Sequence, residues 1–176
     1  MFLIIGLGNP GKEYEKTRHN IGFLALDFLA KNFDAPKFRP NPKFKASISE
    51  INYHDNKIIL AKPQTYMNTS GDSVQTLANF YKITSQNIIV IHDELDLPFS
   101  SLRVKTNGSS AGHNGIKDII NKLGTDQFIR IRLGIQTDKS KNIPAEKFVL
   151  SHFSITEKIK LKNIFSEVLQ EIKKII

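Results

Sequence analysis

Short apolar runs alternate with longer helical stripes along most of this chain. Met1–Ile5 is apolar and rich in β-branched and aromatic side chains, which predicts a buried first strand. Ile21–Asn32 carries Leu24, Ala25, Phe28 and Leu29 on one helical face, with Asn20 in the N-cap position and His19 just outside the helix start. Asp34–Lys45, with three prolines and a run of cations, reads as an exposed basic loop. Ala46–Tyr53 and Lys57–Ala61 read as strands of a hairpin closed by His54-Asp55-Asn56. A second helix follows Thr69, where Thr69 and Asp72 supply a T-x-x-D capping signal and Val74, Leu77, Ala78 and Tyr81 the buried face. Asn87–Ile91 is a short strand that delivers His92-Asp93-Glu94-Leu95-Asp96 to its end. Ser101–Lys105 is a strand, Thr106–Gly112 a loop and Ile116–Leu123 a helix. Phe128–Ile135 alternates, with Arg130 and Arg132 opposite the apolar face, and Thr156–Ile176 is amphipathic. The pattern predicts an α/β fold: a single-domain three-layer α/β/α arrangement over residues 1–176 with a mixed, twisted central sheet.

Composition narrows the classes. A chain of 176 residues with 40% hydrophobic residues builds one full core. No segment reaches the ~18 apolar residues of a membrane span, so no membrane partner is expected. The absence of cysteine excludes disulfide and thiolate chemistry and fits a cytoplasmic protein. A net charge of +8 points to an acidic partner, nucleic acid being the usual one. The charge is not spread evenly, since Ser101–Asn142 holds eight Lys/Arg against three Asp/Glu.

The stretch Gly6–Phe23, GLGNPGKEYEKTRHNIGF, concentrates the chemistry. A strand ending in a glycine turn presents its next residues at the carboxyl edge of the sheet, where α/β proteins place their sites. Gly6, Gly8 and Gly11 match the dinucleotide-binding G-x-G-x-x-G, but Lys12–Lys16 has no apolar helical face and the expected acid about 20 residues on is missing. Elsewhere Asn9, His19, Asn68, Asp93, His113 and Asn114 all fall where strands end or helices begin. A histidine needs a carboxylate or carbonyl to fix its tautomer as a general base, and Asp93 after a buried strand is the best placed, with Asp96 second. Asparagines can donate to an oxyanion or bind peptide amides.

Four motifs in register give these residues a context. GLGNPGKEYEKTRHNIGF, KPQTYMNTSG (Lys62–Gly71), HDELDLP (His92–Pro98) and AGHNGIKDI (Ala111–Ile119) resemble bacterial peptidyl-tRNA hydrolases, from Met1 to about Phe153. The resemblance implies a monomer without cofactor or metal that hydrolyses the ester joining a peptide to the terminal ribose of tRNA. It implies His19 as catalytic base and Asp93 as its orienting acid. Asn9, Asn68 and Asn114 would hold peptide, water or oxyanion, and Tyr14, Met67 and His113 would line the cleft. Arg103, Lys105 and Arg132 match positions that grip tRNA phosphate, as the local basic excess also suggests. The chain departs from the family pattern at Ser100, where glycine usually stands, in the loop Gly108–Gly112, often richer in glycine, and at Gln136–Asp138, where a positive charge is lost.

Two rivals follow from the same residues. Gly108-Ser109-Ser110-Ala111-Gly112 matches the G-x-S-x-G nucleophile elbow, with Ser110 as nucleophile and His152 as the one base to offer. A non-catalytic RNA-binding module would use the basic face alone.

Overall fold

The computed structural model describes residues 1–176. The elements are β1 (Phe2–Gly6), α1 (Ile21–Asn32), β2 (Arg39–Asn41), β3 (Ala46–Tyr53), β4 (Asn56–Pro63), α2 (Ser70–Tyr81), β5 (Ile88–Pro98), β6 (Leu102–Lys105), α3 (Asn114–Leu123), β7 (Ile129–Gln136), α4 (Ala145–Val149) and α5 (Ile155–Ile175). They build one sheet of order β2-β3-β4-β1-β5-β7-β6. The central four strands run parallel, and antiparallel partners finish both edges. β1 lies between β4 and β5 with helices packed on both sides of the sheet, so both its faces are covered and it reads apolar at successive positions, with Leu3, Ile4 and Ile5 fully buried.

Alternation divides the sheet residues between two cores. Ile4, Leu60, Ile91 and Leu133 pack with α1, α5 and Phe148 of α4, while Leu3, Ile5, Ile59 and Val90 pack with α2, α3 and Phe128. This is the three-layer arrangement expected from the pattern. The chain leaves β1 toward β4 and leaves β5 toward β7, which makes the gap between β1 and β5 the topological switch point.

Close contact of α1 with the sheet brings its first turn to that gap. A Cβ on Gly22 would collide with the Ile91 carbonyl and the Leu7 backbone, and one on Gly6 would collide with the Gly22 carbonyl. Only glycine permits that approach.

Several local expectations are corrected. The Asn20 side chain does not cap α1; it donates to the Asn9 carbonyl and accepts the Asn9 N–H, both at 2.9 Å. Thr69 and Asp72 do not cap α2 either, because Asp72 is drawn to Lys45 and Lys122. The basic loop is partly structured: Arg39–Asn41 forms an edge strand, which tolerates Pro40, and Phe44 is buried. The strand expected to end at Ile91 continues to Pro98, because His92, Asp93 and Glu94 still pair with β7. The three residues therefore belong to the part of β5 that overhangs β1.

Ser100, in the turn between β5 and β6, has φ 67°, a left-handed conformation that suits glycine. The cost to an ordinary residue is roughly 1–2 kcal/mol, offset in part by the greater unfolded-state freedom of glycine. Ser100→Gly should therefore stabilise the protein by about 0.5–1 kcal/mol. A urea midpoint that rises with an unchanged slope is the expected result, and a fall would show that the Ser100 side chain supports the turn.

Candidate active site

The residues that overhang β1 meet the turn that precedes α1. His19 sits in the short 3-10 turn Arg18–Asn20, and its Nδ1 lies 2.9 Å from both Asp93 carboxylate oxygens. His113, at the N-cap of α3, approaches the same carboxylate from the other side, with Nε2 2.9 Å from Asp93 Oδ1. The Ile116 N–H donates to His113 Nδ1 at 3.3 Å, so the proton of a neutral His113 sits on Nε2 and points to Asp93. His19 likewise donates its Nδ1–H to Asp93 and leaves Nε2 bare. One carboxylate thus orients two imidazoles.

Electrostatics follow from burial and pairing. Burial pushes the Asp93 carboxyl upward, yet the two imidazoles, by charge and hydrogen bond, hold it well below the usual carboxylate range. For His19, burial lowers the pKa, but the Asp93 charge and hydrogen bond outweigh it and the net shift is upward. His92 is different: burial, and then proximity to His113, drive its pKa well down. It stays neutral, donates Nδ1–H to the Asp93 carbonyl at 2.7 Å, and packs edge-on against the His113 ring. His92 therefore braces the Asp93 backbone.

The cleft above this group measures about 360 Å³ and is walled by His19, Asp93, Leu95, His113, Asn114 and α4 residues such as Val149. A larger hollow of about 490 Å³ against α5 holds no histidine, so size alone does not mark the site. His19, Asp93 and His113 bring ligand atoms within 4.8 Å of one another, a spacing a cation can bridge. Their 2.9 Å separations are also those of N–H donors on a carboxylate, which account for both ring protons.

The asparagines divide. Asn114 opens α3 in the cleft wall, and Asn68 is exposed in the turn Met67–Thr69. Asn9 lies at the edge of a neighbouring hollow of about 460 Å³, pinned by Asn20. Its Oδ1 accepts the Met67 N–H at 2.8 Å, which leaves its amide N–H groups as what it can offer. Met67 itself is buried against Gly115. Tyr14 is half-buried and stands apart from the cleft walls; its carbonyl accepts from Thr17.

The basic residues also divide. Arg103 faces Arg132 across β6 and β7, and Lys105 faces Arg130. Arg103 and Lys105 are exposed. Arg132 pairs with Glu94 at 2.8 Å, and the buried Arg130 donates to the Gly108 and Ser109 carbonyls. Arg130 therefore secures the loop before α3 rather than joining a surface clamp. The Ser110 hydroxyl has no hydrogen bond to a histidine ring; its carbonyl accepts the His113 N–H, and exposed His152 pairs with Thr17 through the backbone. An elbow needs a base hydrogen-bonded to Ser110, and Ser110 has none.

From the sequence, Arg18 and Asn20 stand out as functional residue types in the Gly6–Phe23 stretch and His92 and Glu94 as part of a strand end, but none of the four is given a role at the site there. All four are buried polar residues, and only their place inside the motifs hinted at a role.

Fold and site together define an α/β enzyme with a histidine–carboxylate group at the carboxyl edge of its parallel strands. Comparison with known proteins narrows the class. The family model for peptidyl-tRNA hydrolase matches residues 3–176. A peptidyl-tRNA hydrolase of Bdellovibrio bacteriovorus is 44% identical over 176 residues, covering 100% of this chain and 93% of that protein. One from Clostridium botulinum (strain Eklund 17B / Type B) is 47% identical, covering 100% and 90%. The crystal structure of the Acinetobacter baumannii peptidyl-tRNA hydrolase superposes with a TM-score of 0.90 at 37% identity, covering 98% of this chain and 87% of that one. The chain belongs to the peptidyl-tRNA hydrolase family.

Asp93→Asn tests the electrostatic reading. Without the charge that raises the His19 pKa, burial dominates, and the midpoint should fall below the ordinary value near 6.5. NMR titration of the His19 ring measures it; an unchanged midpoint would show that Asp93 does not set the protonation of His19.

Proposed function

We propose that this protein hydrolyses the ester between a peptide and the terminal ribose of tRNA, with water activated by His19. The observation that carries the reading is the His19–Asp93 pair, which leaves Nε2 as a free lone pair in the cleft. Nε2 removes a proton as water adds to the ester carbonyl, and the imidazolium returns it to the departing ribose oxygen. The products are a peptide acid and free tRNA. Asp93 stabilises the imidazolium without taking its proton. His113 shares the carboxylate and limits its movement.

The asparagines read the acyl group. Asn9 spends its carbonyl on Met67, so what remains is a donor suited to a peptide carbonyl or oxyanion. Asn114 supplies a further neutral polar group in the cleft wall, and Asn68 is assigned the same part from the exposed turn Met67–Thr69. A free α-ammonium would enter a region built for amides and pay for its desolvation. Arg103, Lys105 and Arg132 hold the tRNA body, with Arg132 sharing its charge with Glu94. A monomer in the cytoplasm suits a chain without cysteine and in which no helix is long and apolar enough to cross a membrane. The serine esterase reading is not favoured, because no base is hydrogen-bonded to Ser110, and His92, in the same hollow, donates to the Asp93 carbonyl instead.

His19→Ala should lose about 10²–10⁴-fold in turnover while tRNA binding survives. N-acylated aminoacyl-tRNA should react far better than the free aminoacyl form. Near-normal turnover by the variant would remove His19 as the base, and equal rates on the two substrates would remove the asparagines as amide readers.

Because the base must be neutral, and its pKa is raised, the acid limb of kcat/KM should lie above 6.5. Lys105→Ala should raise KM for tRNA esters, lower the salt slope of tRNA binding by about one unit, and leave a short ester lacking the tRNA body nearly unaffected. Equal losses on both substrates would place Lys105 at the ester.

A further inference from the structure

We propose that Arg18 is a positioning residue for His19: its buried guanidinium ties the turn that carries the imidazole to the segment that forms another wall of the cleft. The proposal rests on the reading of His19 as the base, and adds to it a residue that touches neither water nor ester.

Arg18 directly precedes His19 in the 3-10 turn, and it is 3% exposed. Its guanidinium lies over the rings of Phe148 and Phe153, 4.5 and 5.0 Å from their centroids. Nε donates to Ser151 Oγ at 3.1 Å, and Nη2 donates to both oxygens of Glu157 at 2.9 and 3.0 Å. Every one of these partners comes from Phe148–Glu157, the stretch that joins α4 to α5. The backbones are joined as well. The Arg18 N–H donates to the Ser151 carbonyl at 3.0 Å, and the Phe153 N–H donates to the Lys16 carbonyl at 3.3 Å. Ala145 and Glu146, just before this stretch, and Val149, within it, line the cleft together with His19.

Glu157 is itself fixed. Its carboxylate accepts the Ser154 N–H at 2.7 Å while the Ser154 hydroxyl accepts the Glu157 N–H, a reciprocal cap on α5. Burial pushes the Glu157 carboxyl up, but Ser154 and Arg18 bring it below the usual range, so it stays ionised. The guanidinium is thus held at its edge by α5 and over its plane by two aromatic rings. An arrangement that only served stability would not need it, since apolar groups of similar volume often do as well as a buried ion pair. What a planar fork supplies in addition is direction. Since His19 is the next residue in a tight turn, displacement of Arg18 moves the imidazole against Asp93.

Arg18→Lys keeps the charge and loses the fork; Glu157→Gln keeps the shape and loses the charge. Both should lower kcat about tenfold on tRNA esters and on a short ester alike, with KM for tRNA within about twofold, as expected for misplaced chemistry rather than weakened binding. The His19 midpoint should also fall, because a loosened bond to Asp93 raises it less. The other charged groups near that ring, Glu94, Asp96, His113 and Glu146, are unchanged in both variants. Assays are run well below each variant's melting temperature, with Glu157→Gln, at the exposed start of α5, the variant of choice should Arg18→Lys fail to fold. A folded variant with the wild-type His19 midpoint would overturn the proposal. A shifted midpoint with unchanged kcat would instead keep Arg18 as the positioning residue and remove His19 as the base.

Discussion

Everything in the site turns on one ionised carboxylate kept almost out of water. Asp93 is 2% exposed, and a buried charge of that kind costs several kcal/mol unless its lone pairs are met. Two imidazoles from different elements meet them, and the His92 ring holds the peptide carbonyl behind it. The same requirement constrains the fold. β5 must continue past β1 to expose Asp93 at the switch point, α1 must begin against the sheet to present His19, and α3 must begin opposite to present His113. Gly22 and the His113 cap are the local means.

The fold was largely legible, because a three-layer α/β protein writes its layers as hydrophobic periods. Phe128–Ile135 and the α5 stripe show their buried faces in sequence, and both layers assembled as read. What was not legible is how polar side chains choose among competing partners. Asn20 has the identity and position of a helix cap, but its amide pairs with the Asn9 backbone, a contact eleven residues away. Thr69 and Asp72 have the spacing of a capping signal, yet two lysines from distant segments claim the carboxylate. Propensity ranks local options only, and here the distant partner prevailed.

The site shows the same division. His19, Asp93, His113 and Asn114 stand together, since residues at strand ends and helix starts share one edge of an α/β sheet. His92 was harder to place. Alternation along β5 directs it away from Asp93, yet its ring bonds back to the Asp93 carbonyl, and no periodicity encodes that. Arg18 stands out in the sequence as a functional residue type, but its burial and partners were not legible, because they depend on phenylalanines more than 100 residues later in the chain.

Arginine identity misleads again on β7, and the reason bears on how the protein separates binding from chemistry. Arg130 and Arg132 share a strand face, as alternation requires, but their environments are unlike. Arg130 is spent on three backbone carbonyls, those of Gly108, Ser109 and Asp126, and so shapes the loop that leads to His113. Arg132 is paired to Glu94, a residue of the cleft itself. On these two strands the exposed cations are therefore Arg103 and Lys105 of the outermost strand, beyond two arginines already held by protein partners. The Arg132–Glu94 pair leaves less uncompensated positive charge beside the cleft, where cations would oppose protonation of His19 and work against the upward shift that Asp93 produces. The edge strand β6 can then offer its charge to a polyanion while Asp93, two strands away on β5, sets the pKa of His19.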